Sequence, residues 1–196
     1  MKKLMIIGIA LLIAGAGFSQ KIKLVSGKTD LLKGEDIFEV QFTYDDMRVG
    51  KLTEEAYVKQ KREEAHKNDN DNGDRWHNLW IKDREIKFEP KFIALFNKYG
   101  EKAGLFIDYH RPESKIIMVV NTYFTEPGYN IGITSSPAYV SMKISFYERL
   151  DPDKPFAVFD LIKAKGSEHF DAGSRIAEAY ALAGKKFVKV LAKYVK

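Results

Sequence analysis

The stretch Lys115–Glu148 decides the fold of this chain. It contains Ile116-Ile-Met-Val-Val-Asn-Thr-Tyr-Phe124, then Thr125-Glu-Pro-Gly-Tyr-Asn130, and it closes with Tyr139-Val-Ser-Met-Lys-Ile-Ser-Phe-Tyr147. In the last segment Val140, Met142, Ile144 and Phe146 alternate with Ser141, Lys143, Ser145 and Tyr147. A period of two indicates a strand with one buried face and one wetter face. The stretch therefore predicts two strands of a sheet with turn chemistry between them.

Weaker patterns on either side predict the other elements. Strands are expected near residues 21–27, 37–44, 115–124, 138–148 and 156–163, with the last two paired as a hairpin across the turn Asp151-Pro-Asp-Lys-Pro155. Apolar residues at helical spacing predict helices near 75–86, 90–99 and 174–194. Thr53 is a predicted N-cap for a polar helix over 53–67, and Pro90 is expected to open a new helix.

These elements predict an α+β fold with two layers. We expect a mostly antiparallel sheet, the helices near 90–99 and 174–194 packed on one face, and a helical insertion over about residues 53–86. A stripe of small residues on the C-terminal helix is expected to let that helix sit close to the sheet; it consists of Ala177, Ala181, Gly184 and Val188. Val140, Met142, Ile144 and Phe146 should lie beneath the same helix.

The first 19 residues have the pattern of a secretory signal peptide. Lys2 and Lys3 precede an uncharged, mostly apolar run from Leu4 to Phe18, and small residues follow. Cleavage is expected between Ser19 and Gln20, with a cut after Ala16 as the alternative. An uncleaved anchor is the other reading, but the run is short for a bilayer, which needs about 20 residues. We therefore expect an exported protein, periplasmic or secreted, whose residues 20–196 form one domain that does not span the membrane.

The composition excludes several kinds of site. The chain has no cysteine, so it has no lipid-modified cysteine, disulfide or cysteine-based metal site. The net charge of +5 falls to +3 once Lys2 and Lys3 are removed, which is too mild to suggest a nucleic-acid partner. The loop Asn68-Asp-Asn-Asp-Asn-Gly-Asp74 resembles a calcium loop, but its twelfth position is Leu79, where a bidentate glutamate is required. We therefore expect no metal and no cofactor.

Catalytic motifs are also missing from the sequence. It contains no His-Glu-x-x-His, no Gly-x-Ser-x-Gly and no phosphate-binding loop. Carboxylates are plentiful, so a pair of the glycosidase type stays open, although no position can be assigned to it. No catalytic residue is therefore predicted.

Two groups of residues are candidates for a contact surface. Trp76, His77 and Trp80 lie beside a loop and either form an aromatic platform for a ligand or dock the helix on the core. Glu126, Pro127, Tyr129 and Asn130 occupy the predicted tip of the central hairpin, where they form either a contact loop or an ordinary turn.

Lysines cluster near the C-terminus, and their role has two readings. Lys185, Lys186, Lys189, Lys193 and Lys196 suit the negative end of a helix dipole, and they would equally suit a membrane surface or an acidic partner.

Three segments carry a resemblance to a known group of proteins. Phe88-Glu-Pro-Lys-Phe-Ile-Ala-Leu-Phe-Asn-Lys-Tyr99, Thr122-Tyr-Phe-Thr-Glu-Pro-Gly-Tyr-Asn130 and Arg175-Ile-Ala-Glu-Ala-Tyr-Ala-Leu-Ala-Gly-Lys185 resemble an uncharacterised family of small exported proteins from Bacteroidota-type bacteria. The order of elements is also similar to envelope-assembly domains such as the N-terminal domain of TolB, the curli-secretion lipoprotein and the lipoprotein activators of penicillin-binding proteins. These resemblances imply a location in the cell envelope and no particular activity.

The sequence therefore favours an exported, non-enzymatic binding or envelope-assembly protein whose partner is an envelope protein or polymer. The alternative is an exported carboxylate-based hydrolase that acts on glycan or another envelope polymer. A third reading is a dimeric structural protein with a large apolar surface on its C-terminal helix. A deep pocket with convergent carboxylates would favour the hydrolase, whereas an exposed apolar patch or an open sheet edge would favour binding.

Overall fold

A computed structural model describes residues 20–67 and 71–196 of the chain. The predicted signal peptide, with Ser19 at the expected cleavage site, lies outside the described residues, as does the start of the Asn68–Asp74 loop. The predicted α+β class is confirmed, with a large sheet, helices layered on it and a helical insertion. No helix within the described ranges combines the length and the apolar character needed to cross a bilayer.

The strands form one large sheet and one small hairpin. Their bounds are β1 (Lys21–Gly27), β2 (Ile37–Thr43), β3 (Arg48–Val49), β4 (Leu52–Thr53), β5 (Phe106–Asp108), β6 (Ile116–Glu126), β7 (Tyr129–Asn130), β8 (Ser135–Ser136), β9 (Tyr139–Glu148) and β10 (Ala157–Lys165). The large sheet runs in the order β1-β10-β9-β6-β2-β5, with β3 and β4 attached beside the end of β6. The predicted pairing of β9 with β10 and the hairpin of β6 with β9 are both present.

The sheet is antiparallel from β1 through β6 and parallel beyond it. β2 runs parallel to both β6 and β5. The connection from β2 to these strands passes through the helical segments, and such a long crossover is what allows neighbouring strands to run in the same direction. β5 pairs with β2, which lies between β5 and β6.

The helices are α1 (Glu54–His66), α2 (Asn72–Asp83), α3 (Glu89–Gly100) and α4 (Ala172–Leu191), with single 3₁₀ turns at Asp30–Leu32 and Glu101–Ala103. Thr53 caps α1 as predicted, since its hydroxyl accepts a hydrogen bond from the Ala56 N–H at 3.3 Å. Asp171 caps α4 in the same way, accepting from the Ser174 N–H at 2.6 Å.

Pro90 lies in the first turn of α3, as predicted, but α3 is not separated from α2. Arg84–Phe88 form one π-helical turn that joins α2 to α3, with the Glu89 N–H bonded to the Arg84 carbonyl oxygen five residues earlier. In a regular α-helix the proline ring would collide with the carbonyl of Ile86, four residues before it. The wider turn relieves this collision, so the helix continues through the proline.

The core confirms the placement of the central strand. Val140, Met142, Ile144 and Phe146 are fully buried. The Phe146 ring stacks on Phe187 of α4 with 6.2 Å between centroids, and it meets Phe38 of β2 edge-on at 5.7 Å. The sheet face of β9 therefore lies beneath the C-terminal helix.

The small-residue stripe of α4 serves a contact between helices. A side chain on Gly184 would overlap the carbonyl oxygen of Phe92 on α3. Gly100 at the end of α3 likewise lies against Val188 of α4. The small residues thus bring α4 close to α3, whereas the sheet is met by large side chains such as Phe187 and Tyr180.

Candidate functional site

The loop between β6 and β9 folds into a second, smaller hairpin. Tyr129 pairs with Ser136 and Asn130 with Ser135. At its end the Ile131 N–H donates to the Thr134 carbonyl at 3.1 Å, and the Gly132 N–H donates to the Asn130 side chain at 2.9 Å. Gly132 has a φ of 87°, a conformation that glycine adopts without strain. The end of this loop is therefore a hydrogen-bonded turn.

A second loop, residues 166–171, is bound to the same hairpin. The Asn130 amide donates to the Glu168 carbonyl at 2.5 Å, and the Ser135 hydroxyl donates to the Glu168 carboxylate at 2.6 Å. Gly166 lets the start of this loop approach α4, because a Cβ there would overlap the carbonyl oxygen of Arg175. The two loops thus form one structural unit at this end of the sheet.

Arg175, on the first turn of α4, holds the two loops together. Its guanidinium donates to four backbone carbonyls, those of Pro127 at 2.9 Å, Gly128 at 3.1 Å, His169 at 2.6 Å and Phe170 at 2.7 Å. The side chain is buried, and it makes no ion pair with a carboxylate among the described residues. A planar fork of N–H donors can satisfy several carbonyls at once, which a lysine ammonium cannot do in the same geometry.

The unit presents apolar side chains to solvent. Ile133 is 94% exposed, Phe170 77% and Ile131 65%, and Tyr129 is exposed beside them in the sequence. We call Tyr129, Ile131, Ile133 and Phe170 the apolar tip. Single exposed apolar residues are ordinary, but several on two adjoining, hydrogen-bonded loops are typical of a contact surface.

The predicted hairpin residues only partly coincide with this tip. Tyr129 is exposed, whereas Asn130 is half-buried and Pro127 is buried, with its carbonyl bound to Arg175. Glu126 is half-buried at the end of β6, paired with Tyr139. The most exposed apolar residues lie a few residues further along, at Ile131 and Ile133, and on the second loop at Phe170.

Trp76, His77 and Trp80 are brought together on α2. The Trp76 and Trp80 rings stack at 5.7 Å, and Tyr57 of α1 meets both rings at 6.0 and 5.3 Å. Trp80 is buried and its indole N–H donates to the Glu54 carboxylate at 2.6 Å. The indoles therefore join α2 to α1, while His77 lines an open groove between those helices.

A partly buried polar cluster surrounds Glu89 in the first turn of α3. The Glu89 carboxylate accepts hydrogen bonds from the Tyr44 hydroxyl at 3.0 Å and the Tyr109 hydroxyl at 2.9 Å. Burial raises the pKa of both tyrosines, so both hydroxyls stay protonated and donate. The Arg84 guanidinium lies 4.0 Å from the centre of the Tyr44 ring and pairs with Glu54. Each Glu89 oxygen accepts from one tyrosine, so this cluster links α3 to the chain segments that follow β2 and β5.

The pKa values of Glu39 and Asp171 are shifted downward, which is the opposite of the shift that a general acid needs. The Arg149 hydrogen bond lowers the pKa of Glu39. Burial alone would raise the pKa of Asp171, but hydrogen bonds from Ser174 and the Lys87 charge lower it overall. A hydrolase acid needs a raised pKa. Among the described residues no group of three or more histidine, aspartate or glutamate side chains has the arrangement of a metal site.

Comparisons with family models, with curated protein sequences and with solved structures found no match to this chain. The resemblance to exported Bacteroidota-type proteins and to TolB-like envelope domains therefore stays a prediction.

Proposed function

We propose that this protein is an exported, non-enzymatic binding module that docks on a protein of the cell envelope through its apolar tip. The observation that carries the proposal is the exposure of Ile131, Ile133 and Phe170 on loops that Arg175 fixes in place. A loop that is ordered before binding loses less conformational entropy when a partner covers it.

The apolar tip resembles, in its side-chain composition, the core of a protein–protein interface. Aliphatic and aromatic side chains supply the contact area, and the surrounding Asn130, Thr134 and Glu168 supply a polar rim. The predicted signal peptide supports an envelope location for the partner, since it would carry the mature chain out of the cytoplasm. A partner with an apolar pocket of matching size is the expected complement.

The test compares two variants in the native envelope. Chemical cross-linking followed by purification is expected to recover a defined protein adduct with the unaltered chain and to lose it with Ile131→Ser plus Ile133→Ser. Leu150→Ser is the control, because Leu150 is 98% exposed on a different turn and outside the tip. Recovery of the unaltered protein alone, with glycan-degrading activity in a substrate panel, would overturn the proposal in favour of the hydrolase.

A further inference from the structure

A basic groove lies between the outer side of α4 and the β1 edge of the sheet. It encloses about 460 Å³, and five lysines line it: Lys163, Lys165, Lys186, Lys189 and Lys193. No acidic side chain is among its lining residues. Acidic and basic residues are interspersed along most of the chain, so five cations without an acid concentrate positive charge at this place.

Three of the groove lysines have no carboxylate partner within the part of the chain that the structure describes. Across residues 20–67 and 71–196, Lys165, Lys186 and Lys193 form no ion pair with a carboxylate. Lys189 lies over the Tyr99 ring at 5.2 Å, and its neighbour Lys185 lies over the same ring at 4.5 Å. The exposed ammonium groups are therefore available to an anion from outside.

The floor of the groove is apolar. Ile22 of β1 and Leu182 and Val190 of α4 are half-buried side chains that line it between the lysines. A free inorganic anion would gain no binding energy from these apolar side chains. A ligand with a charged head and an apolar portion matches both parts of the groove.

We infer that the basic groove binds the surface of a membrane rich in anionic phospholipids. The lysines contact headgroup phosphates, and Ile22, Leu182 and Val190 face the boundary with the acyl chains. Lysines near an anionic surface are attracted over about a Debye length, so the binding should weaken as salt rises. This inference does not rest on the apolar tip, which lies on other loops and is proposed to contact a protein.

The experiment uses the chain from Gln20 to Lys196, which contains the hydrophobic core found among the described residues and lacks the apolar run Leu4–Phe18. Sedimentation is measured with vesicles of phosphatidylcholine alone and with vesicles in which about a third of the lipid is phosphatidylglycerol. We expect binding about tenfold tighter or more to the anionic vesicles, with loss of this preference at high salt.

Charge-reversal variants distinguish binding by the groove from binding that depends only on the net charge of the protein. Lys186→Glu plus Lys193→Glu should weaken anionic-vesicle binding about tenfold or more, and Lys186→Gln plus Lys193→Gln should weaken it less, without placing acids at the helix end. Lys51→Glu plus Lys154→Glu changes the net charge equally at exposed positions outside the groove, and it should retain binding. Circular dichroism checks that each variant is folded.

Three outcomes would overturn the inference. They are no preference for anionic vesicles, an equal loss in the Lys51/Lys154 control, and saturable binding of inorganic phosphate that competes fully with the vesicles. The last result would assign the groove to a soluble phosphate in place of a lipid.

Discussion

The Arg175 side chain reaches back across 48 residues to donate a 2.9 Å hydrogen bond from Nε to the Pro127 carbonyl oxygen. A cation on the first turn of a helix is electrostatically unfavourable, because the helix dipole places positive charge there. Its cost is offset by the hydrogen bonds that it donates to four backbone carbonyls of two irregular loops. The apolar tip therefore depends on an interaction made entirely outside its own side chains.

Replacing Arg175 tests this dependence. Arg175→Met removes the donors while keeping much of the volume, and it should lower the free energy of unfolding by about 2–4 kcal/mol, because buried carbonyls lose charge-assisted partners. Arg175→Lys should be intermediate, since an ammonium cannot span all four oxygens. Urea denaturation measures the loss, and amide exchange should rise first in residues 127–136 and 166–171. If Arg175→Met were as stable as the unaltered protein, the claim that Arg175 holds the two loops together would be contradicted.

Two glycines of the tip loop provide a matched pair. Gly128 and Gly132 both have positive φ, at 63° and 87°, but a Cβ on Gly128 would overlap the Ser136 carbonyl whereas one on Gly132 meets nothing within 4 Å. Gly132→Ala should cost about 1 kcal/mol of backbone strain, and Gly128→Ala should cost about 2 kcal/mol more because the small hairpin must open. Thermal unfolding measures both. Equal losses would show that the hairpin does not pack as described.

A buried hydroxyl pair joins α4 to the sheet. Thr122 Oγ1 lies 2.6 Å from Tyr180 Oη, and both residues are buried. Tyr180→Phe should destabilise the protein by about 1–2 kcal/mol, because the Thr122 hydroxyl loses its partner away from water. Adding Thr122→Val should recover part of that loss. A double-mutant cycle from denaturant titrations measures the coupling, and strictly additive effects would argue against the hydrogen bond.

The ion pair between Glu39 and Arg149 predicts an acid-labile contribution to stability. The Arg149 guanidinium donates to Glu39 at 2.9 Å and lowers the pKa of that carboxyl below its usual 4.5 in the folded state. A depressed folded pKa adds stability above the unfolded pKa, and this stability is lost as pH falls through the folded value. Glu39→Gln should thus be about 1 kcal/mol less stable than the unaltered protein near pH 7, with the difference shrinking below about pH 4.

The pH series needs its own control. Gln41→Ala removes a second donor to the same carboxylate, whose amide donates to Glu39 at 3.1 Å and also lowers the pKa of Glu39, so its effect should be smaller than that of Glu39→Gln and should shrink at low pH in the same way. A Glu39→Gln difference that stays constant from pH 7 to strongly acidic conditions would contradict the pairing.

Local patterns were enough to predict the sheet but not its parallel edge. Val140 through Phe146 alternate without interruption, and a one-residue slip would expose all four, so the register of β9 follows from the sequence alone. The direction of β2 relative to β6 depends on where the intervening helices pack, which no short pattern records. Pro90 marks the start of α3 correctly, but it does not reveal the π-helical turn that joins α3 to α2.

The candidate surface was harder to predict for a related reason. Tyr129 could be selected from turn chemistry, but Ile131 and Ile133 read as ordinary apolar residues that belong in a core. Phe170 is distant in sequence, and its loop is held to theirs by Arg175 and by the hydrogen bonds of Asn130 and Ser135 to Glu168. When long-range hydrogen bonds determine which side chains are exposed, a short stretch of sequence does not show it.

The most direct test of the central claim places a photo-crosslinking residue at Ile133 in the native envelope and compares it with the same residue at Leu150. The two positions are 94% and 98% exposed, so accessibility does not distinguish them. A discrete protein adduct at position 133, absent at position 150 and lost when Phe170→Ser is added, is the predicted result. Adducts of equal yield at both positions, or none at position 133, would contradict a binding role for the apolar tip.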